Sequence, residues 1–161
     1  MGLAVAFTGP SNSGKTTLIE KVAQKLLPKY KVVVIKHDPK DKASFDKEGK
    51  DSWRFFQTGA DVVVASPTKT TYFSHAQRNL DEIVRMVGEF DFLLVEGLKT
   101  WPLPRIAVFR GSIDESYLDV SDAVAVDESV DRAALPRDLE ILDLNDPDQV
   151  VRWILKNAQK V

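Results

Sequence analysis

Cysteine is absent from the 161 residues of the chain. Its absence excludes disulfides, Cys-ligated zinc, iron–sulfur clusters and thiol catalysis, and it fits a reducing compartment. A block of one charge sign is also missing. The formal net charge is −2. The densest charged stretch, residues 36–54, mixes six basic with five acidic side chains. No broad electrostatic surface for nucleic acid is expected from such a pattern. The first eight residues carry no basic n-region and no small-residue cleavage site, so they do not read as a signal peptide. No apolar run approaches the ~20 residues of a membrane span. A cytoplasmic, soluble protein without a membrane partner is the expectation.

What remains is the composition of an ordinary globular protein, with 43% apolar and 29% charged residues. The length favours one domain over residues 1–161, at roughly 100–200 residues per domain. Leu3–Thr8 reads LAVAFT, a buried-strand run. A glycine-rich turn follows, and then Leu18, Ile19, Val22, Ala23, Leu26 and Leu27 recur at helical spacing until Pro28 stops them. Residues 32–35 form a second β-branched run, giving a βαβ unit. Residues 37–50 are polar and aperiodic. A short helix over residues 52–58 ends at Gly59. Residues 62–65 and 70–73 read as an antiparallel pair of strands around Ser66-Pro67. Asn79 caps a helix carrying Leu80, Ile83, Val84 and Val87. Strands are expected at 92–95, 106–109, 123–126 and 141–144. Asn145 and Pro147 then open a last helix with Val150, Val151, Ile154, Leu155 and Ala158 on one face. Alternating strands and helices define an α/β fold, a three-layer domain with a mainly parallel sheet and a β-ribbon extension.

Residues 9–16 read GPSNSGKT and match G-x-x-x-x-G-K-[ST] at every defined position. A strand precedes the match and a periodic helix follows it, as the mechanism requires. Gly9 and Gly14 allow the backbone to turn successive amides inward, and the helix N-terminus adds its positive end. Ser11, Asn12 and Ser13 complete the phosphate loop. Lys15 is placed to reach β and γ phosphates, Thr16 to ligate Mg²⁺, and Thr17 to bond the α phosphate. A carboxylate near the metal is needed, at the C-terminal end of a neighbouring strand. Glu96, in the run LLVEG, stands there and is a metal and catalytic candidate. Gly97 beside it would let the backbone approach the γ phosphate, while Asp91 lies at the wrong end of the same strand. His37 and Asp38, at the end of the second strand, could orient a water or hold a metal-bound water. Asp38-Pro39 is equally a turn signal. His75 reads as a surface residue.

Taken together, GPSNSGKTTL, KHD at 36–38, DKEGKDSWRFFQTGAD at 46–61 and LLVEGLK at 93–99 resemble the molybdopterin-guanine dinucleotide biosynthesis adapter proteins, called MobB. The P-loop alone is shared with many NTPases, whereas the combination with GKDSWR and VEGLK is far more specific. The resemblance implies a dimeric GTP-binding P-loop protein that uses Mg²⁺ and assists the molybdenum cofactor guanylyltransferase, with molybdopterin as a possible ligand. Asp46, Gly49, Lys50, Asp51, Ser52 and Arg54 match the family's second signature, read as a partner or pterin loop. Members often carry a second histidine shortly after the KH pair. Here that stretch is Pro39-Lys40-Asp41-Lys42, so no histidine-pair role carries over.

Slow hydrolysis fits the catalytic set, which lacks an obvious arginine finger. The competing reading is a small-molecule kinase, for which Arg132 and Arg137 are the lid candidates. No N-K-x-D motif reads guanine. Asp127, after the strand at 123–126, could accept hydrogen bonds from the base or simply cap a turn.

Overall fold

A computed structural model describes residues 2–161. The elements run β1 (Leu3–Thr8), α1 (Lys15–Leu26), β2 (Val32–Lys36), α2 (Asp51–Gln57), β3 (Val62–Ala65), β4 (Thr70–Phe73), α3 (Leu80–Val87), β5 (Phe92–Glu96), β6 (Arg105–Phe109), α4 (Glu115–Leu118), β7 (Ala123–Val126), β8 (Glu140–Asp143), α5 (Pro147–Asn157) and β9 (Gln159–Lys160). A 3-10 turn occupies Arg132–Ala134. The chain forms two compact units, one made of the residues up to His37 and from Val84 onward, the other Asp38–Ile83.

The first unit is built on a sheet in the order β2-β5-β1-β6-β7-β8. All of these pairs are parallel. Short β9 pairs antiparallel with the start of β1. The βαβ reading of the first three elements holds for the elements, but β1 and β2 are not neighbours, because β5 is inserted between them. That places β2 at an edge, where Val34 is 49% exposed. The central strands β1, β5, β6 and β7 are buried on both sides, which is why they read as unbroken apolar runs.

One sheet face is covered by α1 and α5. Leu18, Ile19, Val22 and Leu26 meet Val150, Trp153 and Ile154 over Val5, Phe7, Leu94 and Val108. Leu27 and Leu155 fall off these stripes and are exposed, contrary to the periodic reading, and Trp153 takes the buried place on α5. The opposite face, over β6 and β7, buries Phe109, Leu118, Val130 and Leu135. The N-cap of α5 is Asp146 and not Asn145. The Asp146 carboxylate accepts from the Gln149 amide at 3.0 Å, while the Asn145 amide turns back to Asp143. The polar segments around 115–118 and 132–134 and the terminal β9 were not foreseen. They are too short to show a period.

In the second unit, β3 and β4 form the expected antiparallel ribbon, with Val62 opposite Phe73 and Val63 opposite Tyr72. Period-two alternation divides it. Val62 and Phe73 point toward Phe56 of α2, whose ring centre is 6.2 Å from that of Phe73. Val63 and Tyr72 face away and are exposed. Asp61 fastens the ends of the ribbon by accepting from the Tyr72 and Ser74 hydroxyls and the His75 amide. The His75 ring lies flat on Phe56, in keeping with a surface role. Asn79 and Glu82 cap α3 reciprocally, each side chain accepting the other's amide.

Candidate functional site: a phosphate-binding cleft

The strand-to-helix connection of the first unit is shaped by space and backbone angle. Gly9 has φ 150°, and a Cβ there would fall 2.4 Å from the Val108 carbonyl oxygen of β6. Gly14, at φ 91°, is the N-cap of α1. No side chain caps that helix, and no acidic residue sits in its first turn. Its first amides are therefore left for a ligand, and no acidic side chain of its own first turn offsets the positive helix end. Residues 10–17 with Lys36, Glu96 and Arg110 line a cleft of about 450 Å³.

Three features fit this cleft to a phosphate chain. Ser13 is 2% exposed, yet its hydroxyl has no hydrogen-bond partner among the described residues. A buried polar atom left this way costs free energy unless something bonds it. Lys15 is folded across the loop, donating to the Gly9 carbonyl at 3.0 Å and pairing with Glu96 at 3.3 Å. Its ammonium group is thus held over the loop by one carbonyl and one carboxylate. Thr16 and Thr17 also line the opening.

Glu96 closes the other wall. Its second oxygen is 3.0 Å from Lys36 Nζ, so one carboxylate is held between two ammonium groups. Burial pushes its pKa up, but the Lys36 hydrogen bond and the Lys15 charge outweigh this and hold it below the usual carboxylate value. Glu96 is therefore an anion at neutral pH. Lys36 is a site residue that sequence reasoning passed over in favour of its neighbours His37 and Asp38. Its place at the end of β2, in register with Glu96, was the available signal.

His37 does not line the cleft. Its amide bonds the Glu96 carbonyl, and its side chain fills the space that Gly97 leaves, where a Cβ would be 3.0 Å away. The Gly97 amide is bonded to the Phe7 carbonyl at 2.8 Å, so that amide is engaged within the sheet edge. The Asp38 carboxylate accepts from the Ala43 amide at 2.6 Å, which is the turn chemistry of the Asp-Pro signal. Asp91 accepts from the Lys31 amide at the far end of β5.

Two arginines flank β6, Arg105 as its first residue and Arg110 just beyond its end. Arg105 is 1% exposed and donates to the carbonyls of Gly97, Leu98 and Trp101 at 2.7, 2.8 and 3.0 Å. It pins the segment after Glu96, where Leu98 holds φ 54°. Arg110 reaches the cleft, with Nε 3.2 Å from Asp127. Asp127 in turn accepts from the Ser129 amide and hydroxyl. Turn chemistry and Arg110 thus occupy the carboxylate considered for the base. Arg132 and Arg137 do not line the cleft.

The second signature organises its own unit. Asp46 accepts from Ser52 Oγ and from the Lys47 amide, both at 2.9 Å, bracing the entry to α2. Lys50 is the residue before that helix and Asp51 opens it, where an acid suits the helix dipole. Gly49, Lys50, Asp51 and Ser52 line a groove of about 580 Å³ with Phe55 and β3, while Arg54 lies outside it.

A parallel sheet carrying a Gly-x-x-x-x-Gly-Lys-Thr loop at its C-terminal edge, with a carboxylate on the adjacent strand, defines a P-loop NTPase-type α/β fold. The family model described as molybdopterin guanine dinucleotide synthesis protein B matches residues 4–128, and the chain belongs to that family. An Escherichia coli molybdopterin-guanine dinucleotide biosynthesis adapter protein is 32% identical, over 94% of this chain and 93% of its own. A Haemophilus influenzae protein of the same description is 31% identical, over 93% of this chain and 86% of its own. Among solved structures, a molybdopterin-guanine biosynthesis protein B matches with TM-score 0.75 and 28% identity, over 96% of this chain and 99% of the other. Bacillus subtilis MobB, at 24% identity and TM-score 0.78 over 99% of both chains, shares the fold.

Proposed function

We propose that this chain is a GTP-binding adapter for the formation of molybdopterin guanine dinucleotide, with slow Mg²⁺-dependent hydrolysis. The observation that carries the reading is the Lys15–Glu96 pair, which spans an uncapped helix N-terminus and a buried, unbonded Ser13 hydroxyl. A triphosphate entering the cleft would take Lys15 away from the Gly9 carbonyl. The loop amides and the Ser13 hydroxyl would donate to its oxygens, and Thr16 and Glu96 would hold the metal, directly or through water. Magnesium supplies charge neutralisation there. Among the described residues no group of three or more His, Asp or Glu could hold a metal. Such a pair of protein ligands suits an ion that keeps waters and takes phosphate oxygens. We assign Glu96 to the hydrolytic water. His37, whose side chain packs beside Gly97 outside the cleft lining, would orient that water only by turning toward the cleft, and Asp38 serves its turn.

Family membership supports guanine as the base. The same membership supports a molybdenum cofactor guanylyltransferase as partner, and a cytoplasmic place of action. No helix among the described residues is long and apolar enough to cross a membrane. The homodimer is proposed on the open face of the ribbon, where Val63 and Tyr72 are 62% and 42% exposed as a cross-strand pair. Exposed apolar pairs of this kind favour burial against a two-fold mate. The groove at Gly49, Lys50, Asp51 and Ser52, with exposed Lys40, Lys42, Lys47 and Arg54 on the same unit, is the proposed contact for a molybdopterin phosphate or an acidic partner patch.

The test is co-purification of the guanylyltransferase with the wild-type chain, with and without a non-hydrolysable GTP analogue. Capture that rises with the analogue supports the adapter role. Equal capture in both conditions, or none, contradicts it.

A further inference from the structure

The sheet order puts β5, with Glu96, on one side of β1, and β6, with Arg110, on the other. Lys15 and Glu96 therefore mark one end of the cleft and Arg110 marks the opposite end. On the nucleotide reading above, on which this inference rests, Lys15 and Glu96 meet the terminal phosphates. The far end must then face the phosphate next to the nucleoside.

Arg110 is unusually placed for a cation. One of its terminal nitrogens would lie 2.9 Å from a Cβ at Gly14, so the guanidinium rests against the N-terminus of α1. That helix end is positive and uncapped, and Lys15 is its first residue. Two positive features are thus juxtaposed without an anion between them. The protein holds them there. Asp127 engages only Nε, at 3.2 Å, which leaves the paired terminal nitrogens for another acceptor. Asp127 is fixed by Ser129, and the Ser129 hydroxyl accepts from the Gly111 amide at 2.7 Å, tying the turns after β6 and β7 together. The arrangement is complementary to a phosphate oxygen lying between the guanidinium and the helix end.

We propose that Arg110 is a phosphate-binding residue that contacts the α-phosphate of the bound nucleotide, with Asp127 and Ser129 as its positioning residues. An arginine reaching the phosphate chain from the same protein removes the need for a partner to supply one at that end of the cleft. Losing a charge-assisted hydrogen bond at this position should weaken GTP and GDP alike, by ~10–100-fold.

The experiment titrates wild type, Arg110→Gln and Arg110→Lys with GTP, GDP and the two diastereomers of guanosine 5′-O-(1-thiotriphosphate), with thermal unfolding as a fold control. The wild type should prefer one diastereomer, Arg110→Gln should lose most of that preference together with affinity, and Arg110→Lys should fall between. Asp127→Asn should show the same changes in smaller measure. Equal GTP affinity in Arg110→Gln and wild type would overturn the proposal, as would weaker binding with the diastereomer preference intact, or a wild type that binds both diastereomers alike. A wild type that binds no GTP would instead overturn the nucleotide reading itself.

Discussion

The Glu96 carboxylate lies between Lys15, at 3.3 Å, and Lys36, at 3.0 Å. This three-residue cluster joins the phosphate loop to the ends of β5 and β2, and its two lysines differ in exposure. Lys15 is 16% exposed, whereas Lys36 is 65% exposed and its bond to Glu96 is partly screened. Lys36→Met should leave the fold intact and free Glu96 to pair more closely with Lys15. We expect triphosphate affinity to fall by less than in Lys15→Ala. Calorimetric titration of both variants checks the order, and a larger loss in Lys36→Met would reverse the assignment of roles.

Glu96 also fixes a pH window. Its folded pKa lies below the ordinary value of 4.5, so its contribution to stability is full above about that pH. The contribution is lost as pH falls through the lower folded value. Stability curves of wild type and Glu96→Gln against pH should therefore run parallel from neutrality down to about 4.5 and converge only below it. Convergence already near neutrality would show that Glu96 is not held as an anion. In the same variant, magnesium dependence of nucleotide binding should weaken by ~10–100-fold.

Arg105 predicts a stability effect without direct contact to the cleft. Replacing it by Met removes three hydrogen bonds and leaves the carbonyls of Gly97, Leu98 and Trp101 without their donor. A loss of about 3 kcal/mol in unfolding free energy is expected. Urea denaturation measures it. A loss under about 0.5 kcal/mol, the range of ordinary surface changes, would contradict the pinning role.

For the ribbon, Val63→Lys is the cleaner variant, because the Tyr72 hydroxyl also bonds Asp61 within the unit. Sedimentation at micromolar concentration should show a wild-type dimer and a Val63→Lys monomer. A wild type that sediments as a monomer removes the dimer proposal.

The sequence exposed the fold wherever a pattern was long or fully apolar. Strands β1, β3, β4 and β7 fall on their expected bounds, and the ends of β5, β6 and β8 differ by about a residue. The insertion of β5 between β1 and β2 was not legible, because strand order is a property of non-local pairing that no local pattern carries. Helix faces were misjudged at Leu27 and Leu155, which continue the spacing but emerge from the core, and at Trp153, which is buried on α5 instead. At the site, the phosphate loop was plain from its motif. Lys36 and Arg110 were not, because single basic residues at strand ends look like solvated termini until the sheet brings those ends together. The place of Arg105 was not legible either, because the three carbonyls that bond it come from an irregular loop without a sequence signal.

The central claim is that the cleft at residues 9–17 binds a nucleoside triphosphate through Lys15. Equilibrium titration of wild type and Lys15→Ala with a fluorescent GTP analogue in magnesium tests it most directly, with circular dichroism to confirm folding. The account predicts saturable binding by the wild type and a loss of at least ~10–100-fold in the variant. A folded Lys15→Ala chain that binds the analogue as tightly as wild type would contradict it.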